Sequence, residues 1–207
     1  MTPPGPARQT RAKTALPRKT NSLKAVPREA PLAKDGDKRG RGIIRIQRYS
    51  RSSGGTYTPD EQYTYLSGDG LNLVEPVALD NKGGLLALER QHVAGLGTTI
   101  RVVQLSLEKA VNVAGKGSLY GLPVDVFARD EAVFDLADCP PGGPGVVTTP
   151  GSAQVNPLVD NVEGMTLGKE WTTGEYKGRR PLYLISDDNS SGEQITRLYS
   201  IAVRLNP

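Results

Sequence analysis

Cys139 and His92 are the single cysteine and the single histidine in 207 residues. One cysteine excludes an internal disulfide and any zinc site built from cysteines. One histidine excludes a multi-histidine metal centre. A Ser-His-Asp triad would have to use His92, which lies in a glycine-rich loop, and no Gly-x-Ser-x-Gly elbow is present. The glycine-rich stretch 142–145 lacks the Gly-Lys-Ser/Thr ending of a phosphate loop, so a nucleotide-hydrolase reading fails. Cys139 stands before Pro140-Pro141 with no matching base and reads as inert. No apolar run approaches the roughly 18 residues of a membrane span. No short apolar core follows the first basic residues, so no secretory signal is expected as written.

Apolar residues make up 37% of the chain, while glycine (24) and proline (16) are abundant. This suits turn-rich β structure better than a helical bundle. The net charge of +4 hides an asymmetry: residues 1–42 hold 11 Lys/Arg and 3 Asp/Glu, a charge of +8, which leaves −4 on the other 165 residues. The basic stretch 1–42 shows neither helical nor strand periodicity and is expected to be a disordered arm. It could hold nucleic acid or anionic lipid by counterion release. It has no aromatic residue to stack on a base, so no specific nucleic-acid partner is expected. The bland reading is a solvated tail.

Folded sequence is expected over 43–207. Ile43–Tyr49 alternates as an outer strand, Ser52–Gly55 reads as a turn, and Glu61–Leu66 as the partner strand. Two stretches then read as one repeated unit. Leu73–Leu79, Gly84–Arg90 and Thr99–Leu107 form the first copy. Asp160–Leu167, Arg180–Asn189 and Ile195–Val203 form the second. Each is a strand led by an acid, an apolar strand ending in polar residues, and a third alternating strand. Repeated antiparallel sheets of this kind mark a β-propeller. The expected fold is therefore all-β, a partial propeller-like repeat of antiparallel sheets. Gly121–Ala128 and Ala132–Leu136 are shorter strand candidates, the second also readable as one helical turn. Residues 139–159 form a long Pro/Gly loop, which inside a compact domain is functional or disordered.

The acidic residues of the repeat are the candidate chemistry. Glu163 lies between Val162 and Gly164 at a strand start. It either points into an axial mouth or accepts backbone N–H bonds that tie blade to blade. Glu75 holds the matching place in the first copy, and the pair could bind a hard cation such as calcium. Asp187, Asp188 and Asn189 end an apolar strand. They read either as a metal or phosphate-ester site with one aspartate as ligand or base, or as a turn capped by its own side chains. Glu89 and Arg90 end the equivalent strand, where the guanidinium is a phosphate clamp or one half of a cross-blade salt bridge. Arg179 and Arg180 read as a solvated turn. Trp171 and Tyr176 flank a hairpin-like insertion and are expected to pack on the sheet.

Asn161-Val162-Glu163-Gly164, then Arg179–Asn189, then Gln194–Arg197 resemble the phytase-like family, described as the esterase-like activity of phytase. Gly84–Arg90 followed by Ile100-Arg101-Val102 resembles that family's preceding block in the right order. The resemblance covers about 43–205. It implies a β-propeller-like fold and phosphoesterase or phosphodiesterase activity on a small phosphate-ester substrate. It also implies that acidic residues are the working groups and that relatives are often exported. On this resemblance Glu163, Asp187 and Asp188 are catalytic candidates. Glu89, Arg90 and Asn189 would bind substrate, and Glu75 with Glu163 would hold a divalent cation. Family members are roughly twice as long, as a closed ring of blades requires, so the chain is expected to match only their C-terminal half. Open sheet edges would then favour a homodimer. The alternative to an enzyme is a non-catalytic propeller portion serving as an interaction module.

Overall fold

The computed structural model describes residues 14–16, 22–25, 30–51, 55–80, 83–139 and 156–206. In chain order the strands are β1 (Thr14–Leu16), β2 (Ser22–Ala25), β3 (Asp37–Lys38), β4 (Arg41–Ser50), β5 (Thr58–Asp69) and β6 (Asn72–Ala78). Then come β7 (Gly84–Val93), β8 (Gly97–Ser106), β9 (Arg129–Asp135), β10 (Val162–Leu167), β11 (Arg180–Ser186) and β12 (Leu198–Val203). Two single 3-10 turns, Val124–Val126 and Leu136–Asp138, are the helical elements among the described residues. The fold is all-β, as expected.

Three antiparallel sheets follow one another along the chain. In the first, β2 and β3 lie along one edge of β4 and β5 along the other, with β1 beyond β2. The second has the order β6-β7-β8-β9 and the third β10-β11-β12. Both copies of the expected repeat are thus real sheets. Among the described residues the sheets do not close into a ring.

The second sheet is buried on both faces, which explains the continuous apolar run at the start of β7. Alternation sends Leu85 and Ala87 one way, to meet Ile44, Ile46 and Tyr65 of the first sheet together with Val103 and Leu105. Leu86 and Leu88 go the other way, with Ile100 and Val102, to meet Val162, Met165, Leu182 and Leu184 of the third. Residues 89 and 90 inherit this alternation, so these two polar side chains of β7 serve two different inter-sheet gaps.

The outer face of the first sheet carries Ile43 and Leu66, covered by Val113, Leu119 and Phe127 of the β8–β9 connection. Within that layer Arg45, 4% exposed, meets Asp35 through two N–H donors at 2.5 and 2.8 Å. Asp35 also accepts from Leu119 N at 2.9 Å. A buried charge needs such complete pairing.

Some local expectations are corrected. β4 begins at Arg41 and Asp35 is buried, so ordered structure reaches back across the expected boundary at 42/43. The other residues of 1–42 not named above lie outside the described residues, as do Ser52–Gly54 of the expected turn and 140–155 of the Pro/Gly loop. Gly121–Ala128 is not a strand. Gly121 takes φ 77° and Pro123 caps the 3-10 turn Val124–Val126, a geometry that ends extended pairing. Trp171 and Tyr176 face each other with ring centroids 5.5 Å apart.

Candidate active site

The third sheet places Glu163 at its first strand's irregularity. In β10 Val162 pairs with Ser186 and Gly164 with Ile185, so Glu163 is the extra residue of a β-bulge. A bulge re-aims its side chain out of the ladder. Here Glu163 leans toward the second sheet, where its Oε1 accepts from Arg90 Nη1 at 3.0 Å and from Asn161 Nδ2 at 2.8 Å. The pair is unequal in exposure, with 14% of the Arg90 side chain and 39% of the Glu163 side chain reaching solvent. A Cβ on Gly164 would stand 2.7 Å from Ile185 Cγ2, so a larger residue there would force that side chain to shift. The close approach expected at this glycine is made by a side chain of the same sheet.

The bulges also settle the match between copies. In β6 Leu73 pairs with Glu89 and Glu75 with Leu88, so Val74 is the extra residue. Superposing the two ladders sets Val74 against Glu163, Glu75 against Gly164, Glu89 against Ser186 and Arg90 against Asp187. Glu75 is therefore not the positional equivalent of Glu163. Counting from the strand start misses this, because the bulges fix the register. Glu75 is half-buried, and burial raises its pKa.

Asp187 to Asn189 form a turn. Asp187 Oδ1 accepts from Asn189 N at 3.0 Å, and Asp188 Oδ1 from Ser190 N at 2.9 Å. Asn189 and Ser190 take positive φ, 49° and 56°. Asn189 Nδ2 donates to Gln194 Oε1 at 2.9 Å. Asp187 remains tied to the Glu163 cluster through its backbone: its N–H donates to Asn161 O at 2.9 Å, and its carbonyl accepts from Asn161 Nδ2 at 3.3 Å. Asp160, for which the sequence carries no assigned role, is the buried anchor of this corner. Its carboxylate accepts from Asn161 N and from Ile195 N, both at 2.7 Å. The signal was present in the Asp-Asn pair that opens the second copy.

Glu89 goes elsewhere. It is 1% exposed and accepts from Gly68 N with both oxygens, at 3.2 and 3.1 Å. Burial lifts its pKa to about 7, against the Gly68 bond and the Arg101 charge, which lower it. The buried Tyr65 hydroxyl faces this carboxylate without a well-formed hydrogen bond, and burial pushes its own pKa far up. Alternation would have found this, since Glu89 continues the Leu85, Ala87 row. Of the seven candidates, Arg90 and Glu163 meet where the second and third sheets adjoin, and Asp187 joins them through its backbone to Asn161. Asp188 and Asn189 stay in their own turn, Glu89 lies in the other gap, and Glu75 stays in β6 opposite Leu88.

His92 sits on an exposed hairpin end with Nδ1 3.1 Å from Thr98 Oγ1. Burial and nearby Asp138 raise the Cys139 thiol, which suits an unreactive sulfur. No cluster of three or more His, Cys, Asp or Glu suited to a metal ion occurs among the described residues. No helix there is long and apolar enough to cross a membrane.

A family model, phytase-like, described as the esterase-like activity of phytase, matches residues 18–190. The chain belongs to this phytase-like family. The match covers most of the chain and begins inside the expected arm, earlier than the expected start at 43. No curated protein and no solved structure matches the chain.

Proposed function

We propose that the chain is a phosphoesterase or phosphodiesterase that works where the second and third sheets meet. The observation that carries this reading is the Arg90–Glu163 contact at a bulge, with Asn161 beside it. A small phosphate ester entering this corner sets its phosphoryl oxygens against the Arg90 guanidinium, which suits a bidentate oxyanion partner. Glu163, released from the pair, takes a proton from the attacking water. The new P–O bond forms as the ester P–O bond breaks, and the leaving alkoxide takes the proton that Glu163 accepted, or one from solvent. Asp187 and Asn189 hold the turn that frames the entrance. A calcium ion between Glu75 and Glu163 belongs to this proposal only as a test. Those two acids fall in different ladder positions and form no three-ligand cluster among the described residues, so no step is routed through it.

The test is hydrolysis of a chromogenic phosphate diester and monoester by the full chain. Arg90→Gln should raise KM roughly tenfold, the loss of one charge-assisted contact, with a smaller change in kcat. Unchanged KM would remove Arg90 from the site.

A second reading, an interaction module, is favoured by one observation: the Asp187 and Asp188 carboxylates already cap their own turn. In that case a homodimer would form through the outer edge of the third sheet at β12, and the chain would cleave neither ester.

A further inference from the structure

A cleft of about 550 Å³ opens between the first and second sheets, on the face of β7 opposite Arg90. That volume falls in the range of small-molecule sites. Its floor is a polar extension of the core-facing rows of the second sheet. Across the ladder Glu89 pairs with Arg101 and Arg101 with Asp135, and one row further out Gln91 pairs with Thr99. The end of the β4–β5 hairpin forms the opposite wall and brings Arg41 and Asp69. The walls are held tightly. A Cβ at Gly68 would stand 2.6 Å from Leu71 Cδ1 and 3.1 Å from both Arg101 Nη1 and Glu89 Oε2. One at Gly70, where φ is 67°, would meet Gln91 Nε2 at 2.6 Å.

The lining decides the class of occupant by elimination. Leu71 is its one apolar member, so an apolar ligand gains little. Three carboxylates, Asp69, Asp130 and Asp135, face two guanidiniums, Arg41 and Arg101, and one guanidinium is already paired to Asp130 at 3.0 Å. The excess negative charge repels a phosphate dianion. The guanidiniums equally oppose an organic cation. The described residues supply no three-ligand cluster for a metal ion. What remains is a ligand that needs donors and acceptors interleaved at short spacing. Hydroxyl groups do, because each both donates and accepts. Arg101 and Gln91 offer N–H groups, Asp69 and Asp135 offer oxygens, and Thr99 offers both.

We propose that this cleft binds a neutral polyhydroxylated ligand, a sugar or an acyclic polyol, at a site separate from the Arg90–Glu163 corner. Glu89 stands behind Arg101 and holds the Gly68 wall in place; it is a positioning residue and does not touch the ligand. The site is independent of the esterase reading, since residues 89 and 90 lie on opposite faces of one strand.

Titration of the full chain with a panel of neutral monosaccharides and sugar alcohols, followed by ligand-observed NMR, tests the proposal. Inorganic phosphate and spermidine serve as charge controls. At least one neutral member should bind saturably, and neither control should compete with it. Arg101→Gln should weaken that binding roughly tenfold or more, as for a lost charge-assisted bond. Thr99→Val, on an exposed strand position, should weaken it roughly threefold with the fold intact. If Arg101→Gln fails to fold, Thr99→Val and Gln91→Ala carry the test. Absence of saturable binding across the panel overturns the proposal. So does binding that neither Thr99→Val nor Gln91→Ala alters, or competition by phosphate.

Discussion

Glu89 and Arg90 are neighbours on β7, yet they meet opposite environments. Glu89 is sealed between the first two sheets on a backbone N–H, with its pKa lifted to about 7. Arg90 reaches into the next gap and finds a carboxylate that is partly open to water. One strand thus presents a carboxyl group that burial drives toward neutrality and a cation paired with a carboxylate across the next gap. Position along a strand says little about chemistry until the face is known, and in a sheet covered on both sides each face has its own site.

The strongest way to break this comparison is to remove the buried charge. Because the folded pKa of Glu89 lies above its ordinary value of 4.5, the folded state favours the protonated carboxyl. Stability from this group is full below about pH 4.5, falls as pH rises toward 7, and is flat above. The whole span is worth at most about 3 kcal/mol. Glu89→Gln should therefore raise stability at pH 8 by about 1–2 kcal/mol and flatten the profile between pH 5 and 7. Urea melts at several pH values check this. An unchanged slope would mean that Glu89 is not the titrating group.

Gly164→Ala probes the other side. The new Cβ would crowd Ile185 Cγ2 and should cost about 1–2 kcal/mol, as small overpacking does. Ile185→Ala in the same chain should recover most of it, which a double-mutant cycle measures. Cutting the Arg90–Glu163 pair should matter less to folding. Its coupling energy is expected at about 0.5–1 kcal/mol, because Glu163 remains partly solvated. A value indistinguishable from zero would mean that the two sheets are joined by apolar packing alone. The smallest effect expected is that of calcium. With no built cluster among the described residues, a millimolar addition should leave Tm within about 1 °C, whereas a specific site would raise it with concentration.

Much of this organisation was legible in the sequence. Alternation located the strands of both repeats, because apolar residues of period two that must be buried leave little freedom of register. The apolar run Leu85–Leu88 was legible as a strand, while its cover on both faces came only with the structure. The Asp-Asp-Asn triplet could be read as a turn, and its carboxylates do cap one. The sequence could not reveal the bulges at Val74 and Glu163, since one extra residue changes the pairing without changing the pattern. For that reason Glu75 was matched to Glu163 when its place is that of Gly164. Nor could it reveal the partners of Arg45 and Arg90, which come from other elements and depend on how layers stack. Asp35 was hidden by its basic neighbours, since composition there speaks for a solvated arm while one buried carboxylate pins residues 30–42 to the sheet.

The most direct test of the central claim is turnover of a chromogenic phosphate diester by the full chain and by Glu163→Gln, with folding verified by the melt. The account predicts cleavage by the natural sequence and a loss of about a hundredfold or more in kcat for the variant, as removal of a general base produces. Equal rates in the two proteins, or no cleavage by either, would contradict it.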